Sequence, residues 1–585
     1  MRARFALACG LLFFACGPLT AQTAGPAAAV GSASAQPENP VPTFHATSRL
    51  VLVDVVVTSK HGDFVRGLKP GDFTLLEDGK QQRISAFSAH VASDAAQRMA
   101  PQVQLPPHQF TNFAAPTPDH PITIVLFDML NTAFMDRPYA RQQMIKFLSD
   151  MPSGQPVALF VLAEKLRMVQ GFTQSSDALV AAAKGITDKN DSAHLITSNR
   201  EMEDAAAIDE LLMEASGLVP ASPTSVVSAM EAIEVYQTDV RIRSTLAGFQ
   251  ALAQMVAGYT GRKNLIWLSG DFPVAFGPNF DVAFRPSITR SPHNSAEGNR
   301  LFYVDVLHET SSMLASSQIA VYPIGVRGLQ TKGSGAAQMG SANIALSQDQ
   351  RQTLARWNTE FTMSEIAKET GGEAFYNQND LGNLMRRSLD EGTNYYTLAY
   401  VPQDHDWNGK YRKIEIKLTM EGTKLRFRNG YYALPDQPTD QKDAARLLAA
   451  AMLPTVPEST RLLLKVEVLP PDASRKSVSV DFAINPSDMI FVDGPEQRKQ
   501  TVVDFMVVAL GKDLKQAGLA SNTVNATLRP EAYRQVLKTG FPGHLDLEVK
   551  PGKYLLRLGA IERNSQKIGT VDVPITVPVL QTATE

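Results

Sequence analysis

Two acids stand where chemistry is possible. Asp128 opens the run Asp128-Met129-Leu130-Asn131-Thr132, directly after the apolar stretch Ile122 to Phe127. Asp271 lies in Ser269-Gly270-Asp271-Phe272-Pro273, just past the apolar stretch Leu265-Ile266-Trp267-Leu268. Between them in sequence, Thr245 sits in Arg243-Ser244-Thr245-Leu246. Two carboxylates sharing a divalent metal could activate water for hydrolysis. Neither acid has a histidine in its own loop, which makes an enzyme the weaker reading. A plainer role is also open, because Asp128, Asn131 and Thr132 are residue types that cap a following helix and tie down its loop.

Other candidate motifs fail on inspection. His308-Glu309 is followed by Thr310-Ser311-Ser312, which breaks the His-Glu-x-x-His of zinc proteases, and no Gly-x-Ser-x-Gly elbow occurs. Gly333-Ser334-Gly335-Ala336-Ala337-Gln338 has Gln338 where a dinucleotide loop needs its third glycine, with no strand directly before it. Asp404-His405-Asp406 falls in a hairpin loop, where polar residues are the default. Tyr395-Tyr396 and Tyr431-Tyr432 read as half-buried packing groups of strands rather than a sugar-stacking face.

The elements that would position these residues change character along the chain. Leu50 to Val57, Phe73 to Glu77 and Ile84 to Phe87 read as strands, giving an N-terminal β-module over 46–95. Pro101 to Pro118 reads as a loop rich in Pro and Gln. From 120 to 394, buried strands at Ile122 to Phe127, Val157 to Leu162, Leu265 to Leu268 and Ile319 to Ile324 alternate with helices at Pro138 to Asp150, Ser225 to Tyr259, Gln348 to Thr370 and Asp380 to Glu391. That order predicts an α/β domain with a doubly wound, mostly parallel sheet, and Asp128 at a strand's carboxyl end where such sheets bind ligands. The pieces Asp188 to Pro223 and Pro273 to Asn299 read as insertions. Strands over 395–434 have no place in a parallel sheet beyond its edge, and 46–95 is too short for a core of its own, so the two are expected to pack together. A linker at Pro435 to Gln441 leads to six short strands over 456–580, the pattern of an antiparallel, immunoglobulin-like sandwich.

Composition bounds the function. Hydrophobic residues at 44% and charged residues at 20% are globular values, and a formal charge of -3 gives no support to nucleic acid as a partner. Arg2 and Arg4, an uncharged run from Phe5 to Ala21 and Leu19-Thr20-Ala21 have the layout of a secretory signal peptide over 1–21. A lipoprotein anchor at Cys16 is the alternative, with Phe13-Phe14-Ala15 bulkier than such signals usually allow. Cys9 and Cys16 are the only cysteines, so cleavage would leave no disulfide, zinc-thiolate site or thiol nucleophile. Residues 22–45 are mostly Ala, Gly, Ser, Pro and Gln, a tether. No later stretch is long enough to span a bilayer, so an exported protein is expected, periplasmic or extracellular.

The run Asp128-x-x-x-Thr132, a helix, a buried strand and then Gly261-Arg262-Lys263-Asn264-Leu265-Ile266-Trp267-Leu268-Ser269-Gly270 resembles the von Willebrand factor type A fold. Val55-Val56-Val57-Thr58, Gly67-Leu68, Asp72-Phe73, Glu77-Asp78-Gly79 and Thr370-Gly371-Gly372-Glu373-Ala374-Phe375 extend the similarity to the VWFA-related exported proteins abundant in acidobacteria. It covers about 44–433 and not the C-terminal sandwich. The resemblance implies a protein-binding module of adhesion type with a metal-ion-dependent site of pattern Asp-x-Ser-x-Ser, completed by a Thr and an Asp from later loops. Its cation would be magnesium or manganese, which suit oxygen ligands. The positions that match are Asp128, Thr132, Thr245 and Asp271. Leu130 replaces the middle serine and carries no donor, and Asp271 falls one residue later than the family motif places its acid, so any metal should bind weakly. Asn131 offers an oxygen, though its side chain is expected to point elsewhere. The expectation is thus a non-enzymatic, exported binding module with a protein partner. The alternatives are a structural scaffold without metal or a metal-assisted hydrolase.

Overall fold

The computed structural model describes residues 50–91, 105–112, 121–186, 223–272, 296–327, 360–434 and 438–579, except 153, 164, 260, 271, 361, 455 and 473. Over 223–239 and 296–305 only the backbone is described. The expected signal peptide, the tether, the Gly333 loop and Asp271 lie outside the described residues.

At the centre is a mixed five-stranded sheet. Its spatial order is Ile319–Gly325, Lys263–Ser269, Ile122–Asp128, Val157–Leu162 and Leu166–Thr173. The first four strands are parallel and the last is antiparallel. Continuous apolar runs form the parallel strands because both faces are covered. Ile124 and Leu126 point to one side, into a core with Leu246, Phe249, Leu252, Leu314 and Ile366 from helices Pro223–Val256 and Ala296–Ser316 and the helical stretch 362–370. Val125 and Phe127 point to the other, against Met144, Phe147, Leu179, Leu384 and Leu389 of helices Arg137–Ser149, Ser176–Lys184 and Leu381–Thr393. From Ile122–Asp128 the chain winds outward to Val157–Leu162 and Leu166–Thr173 on one side, then to Lys263–Ser269 and Ile319–Gly325 on the other. Asp128 therefore ends a strand where the winding reverses. Pro323, which has no N–H to give, is tolerated because its strand is at the edge.

Leu166–Thr173 is a strand that the residue pattern did not predict. Its residues are largely half-buried or exposed, so no apolar run announces an edge strand.

Around this domain the remaining strands combine across long sequence distances. Val51–Ser59 pairs antiparallel with Tyr395–Tyr400 and with Thr423–Arg426, and Ile84–His90 pairs with the far side of Tyr395–Tyr400. A second sheet pairs Phe73–Glu77 with Tyr411–Leu418, flanked by Lys80–Gln81 and Gly430–Tyr432. Val53, Val55, Phe73, Leu75, Tyr396, Leu398, Ile414 and Tyr431 share one core between the two sheets. The α/β domain leaves this β-module after His90 and returns at Tyr395, and those two residues face each other across the ladder.

The C-terminal part is a sandwich. One sheet holds Leu464–Leu469, Val478–Ile484 and Phe541–Leu547; the other holds Lys499–Leu510, Gln516–Leu528, Gly552–Glu562 and Lys567–Val577. Val466, Val480 and Phe482 of the first meet Phe505, Val507, Leu556 and Leu558 of the second. Two features correct the sequence reading. Gln516–Leu528 is a long polar strand with no apolar signal. Within the segment read as a loop, Gln109–Thr111 joins the first sheet beside Leu464–Leu469. Asn112 fixes that edge, donating to the carbonyls of Ser459 (2.7 Å) and Leu462 (2.9 Å) and accepting from Leu464 N at 2.7 Å.

The sandwich meets the α/β domain at the carboxyl end of Pro223–Val256. Thr460 donates its backbone N–H to Gln254 O (2.9 Å) and its hydroxyl to Met255 O (2.6 Å), and accepts from Gly258 N (2.8 Å). Those carbonyls are among the ones a helix end leaves without internal partners. Among the described residues, no helix is long and apolar enough to cross a membrane.

Candidate functional site

The loop after Ile122–Asp128 folds back onto its own strand end. Asp128 Oδ1 accepts from Asn131 N at 2.9 Å. Its Oδ2 accepts from Asn131 Nδ2 (2.9 Å), Trp267 Nε1 (2.9 Å) and Ser269 Oγ (3.0 Å). Trp267 is set by edge-on contacts with Phe249 and Phe272 at 4.9 and 5.6 Å between ring centres. Thr132 donates its hydroxyl to Asp128 O and accepts from Gly270 N at 3.0 Å, which ties this loop to the one after Lys263–Ser269. A Cβ on Gly270 would lie 3.0 Å from Asn131 O and 3.1 Å from Thr132 Cα, so only glycine lets the two loops approach so closely. Arg137 closes the turn from below, with Nε on Thr132 O (3.0 Å) and Nη2 on Met129 O (2.8 Å).

Asn131 is the hub. Its Nδ2 donates to Thr245 Oγ1 (2.8 Å) as well as to Asp128, and its Oδ1 accepts from Arg241 Nε (3.1 Å). Thr245 in turn donates to Arg241 O at 2.8 Å. The structure thus brings Asp128, Thr132 and Thr245 together, as three of the four residues that match the adhesion pattern. The fourth, Asp271, lies outside the described residues. The sequence reading had Asn131 pointing away; it points inward and joins Asp128 to Thr245. Trp267, Ser269 and Arg241 completed the cluster without being anticipated, since a Trp in an apolar strand reads as core.

The three described residues of the pattern, as they are placed, do not fit a bound cation. Asp128, Thr132 and Thr245 are each 0% exposed. Both oxygens of Asp128 already accept protein hydrogen bonds, and the amide nitrogen of Asn131 occupies the space between Asp128 and Thr245 that a shared ion would need. Leu130 is buried with no donor to offer. No group of three acidic, His or Cys side chains among the described residues could hold a metal. Burial pushes the Asp128 carboxyl above the ordinary carboxylate range, against the opposing pull of hydrogen bonds from Asn131, Trp267 and Ser269.

The other candidates resolve into structure. Asp404-His405-Asp406 is a turn in which Arg412 donates to the carbonyls of Asp404 (2.6 Å) and Asp406 (2.7 Å). Arg412 also meets Glu77, a buried carboxylate that accepts from Tyr400 (2.6 Å) and Tyr431 (2.9 Å). Tyr395, Tyr396 and Tyr431 are buried, so no tyrosine pair presents a stacking face.

No protein-family model matches the chain, and no curated protein matches it. Solved structures that it is similar to include an aerotolerance-related membrane protein from Bacteroides fragilis, at 13% identity over 46% of this chain and 99% of that one, with a TM-score of 0.23. The PilB minor pilin from Streptococcus sanguinis follows at 12% identity, 46% and 60% coverage and a TM-score of 0.22. A von Willebrand factor type A protein from Catenulispora acidiphila shows 8% identity, 92% and 76% coverage and a TM-score of 0.21. Scores of this size establish no shared fold, and the mixed α/β architecture rests on the strand order and helix packing of this chain.

Proposed function

We propose that the chain is an exported, non-catalytic binding or assembly protein, built on a doubly wound, type A-like domain carried within a β-module. In this reading the Asp128 cluster is a structural knot that fixes two loops at the switch point of the sheet, and a protein partner docks on the loop surface above it without a cation. One observation carries the reading: the acid that would recruit a metal is sealed, and its oxygens are taken by Asn131, Trp267 and Ser269. The same burial weighs against a hydrolase, because a general base or metal ligand must face substrate. Phe134 and Met135 stand exposed just past the knot, at 50% and 84%, and supply apolar surface for a partner.

The test is titration calorimetry of the chain with magnesium and with manganese, alongside thermal unfolding with and without chelator. No heat at millimolar metal and an unchanged Tm are the expected results. Heat that saturates in the native protein and vanishes in Asp128→Ala would restore cation-dependent adhesion at Asp128, Thr132, Thr245 and Asp271.

A further inference from the structure

A small cavity lies where the β-module meets the α/β domain. Its walls are Leu52 and Asp54 of the first strand, Arg262, Ala315, Gln318, Thr370 and Arg428. It is narrow and partly open, with room for a small occupant between the two arginine side chains. Two of its walls are guanidinium groups from distant parts of the chain, Arg262 at 2% exposure and Arg428 at 9%.

Each guanidinium keeps one buried N–H without a protein acceptor. Arg262 donates through Nη2 to Tyr322 Oη (3.1 Å) and Gly371 O (2.7 Å), and its buried Nε has no partner. The buried Nε of Arg428 has none either, and its guanidinium lies over the Tyr431 ring at 5.6 Å. One carboxylate faces them. Asp54 is half-buried and already accepts from Thr397 Oγ1 (2.7 Å) and Gln318 Nε2 (3.3 and 3.4 Å to its two oxygens). Lys263, next to Arg262 in the chain, is also buried but lies outside the cavity lining, with Nζ on Ser317 O at 2.9 Å.

Two buried guanidinium groups against one carboxylate leave an excess of positive charge at the cavity. An unpaired buried charge is among the most costly arrangements in a protein, and an unmade buried hydrogen bond adds to it. A water molecule would accept one N–H and leave the charge. An anion does both. We propose that this cavity binds one small monovalent anion of the halide class, chloride above all, which accepts from Arg262 Nε and Arg428 Nε and locks the β-module to the α/β domain.

The full chain tests this in sodium chloride, bromide, sulfate and gluconate at equal ionic strength. Halides should raise the Tm saturably, by about 2 °C or more, over sulfate and gluconate. Crystals soaked in bromide should show one anomalous peak among Asp54, Arg262 and Arg428, a readout that needs no variant. Arg428→Gln should lose the halide dependence. A wild-type Tm indifferent to halide, or a cavity without bromide, would mean that water alone fills it and would overturn the proposal. So would halide stabilisation that persists undiminished in a folded Arg428→Gln protein.

Discussion

Asn131 places an amide nitrogen 2.9 Å from Asp128 and 2.8 Å from Thr245, so a neutral N–H donor bridges two oxygens that would otherwise repel. The cluster should therefore be a stability element with its own pH signature. Asp128→Asn keeps the shape but turns one accepting oxygen into a donor facing Asn131 N, at a cost of about 1–3 kcal/mol. The sign of its pH dependence follows from burial. A carboxyl whose folded pKa is raised above the ordinary 3.8 contributes stability that is full below that value and is lost as pH rises through the folded value. Asp128→Asn removes this loss. Its destabilisation, read by urea unfolding, should thus be largest near pH 4 and shrink toward neutral pH. A cost that grows with pH would mean that the four donors, rather than burial, control the group.

At the scale of elements, the end of helix Pro223–Val256 depends on Thr460 from a different part of the chain. Thr460→Val keeps the shape and removes both hydroxyl bonds, which should cost about 1–2 kcal/mol. Hydrogen exchange at the Gly258 amide should quicken with it; unchanged protection there would show that the helix end holds itself. The elements that could be read in the sequence were those buried on both sides or alternating cleanly. Ile122–Asp128 and Val157–Leu162 are continuous apolar runs because helices cover both faces, and Val51–Ser59 is a β-branched run. Leu166–Thr173 and Gln516–Leu528 escaped because their partners supply the hydrophobic contacts and their own residues stay polar. Gln109–Thr111 is three residues long, below what any periodicity resolves. The candidate site was legible as a location, since strand ends at a winding reversal are few. Its chemistry was not, because whether Asn131 turns in or out depends on Arg241 and Thr245, more than a hundred residues away.

The whole molecule is built from strands that meet across great sequence distances. Because His90 and Tyr395 are cross-strand partners, joining residues 48–90 to 395–434 through Asn-Gly should give a chain that folds as a β-module without the α/β domain. Circular dichroism and one cooperative unfolding transition would establish it; a chain that stays unfolded would show that the inserted domain supplies part of the module's stability. The spacing also dictates an order of events. Leu68 and the Tyr396 hydroxyl that it reaches are 328 residues apart, and closing so long a flexible loop costs about 5 kcal/mol in chain entropy. The α/β domain contains its own strand partners and can form first, drawing its two ends together and removing most of that entropy. Val51–Ser59, the first β-strand among the described residues, would then be among the last to find its place. Until the latecomers arrive to cover it, it waits as an open, aggregation-prone edge.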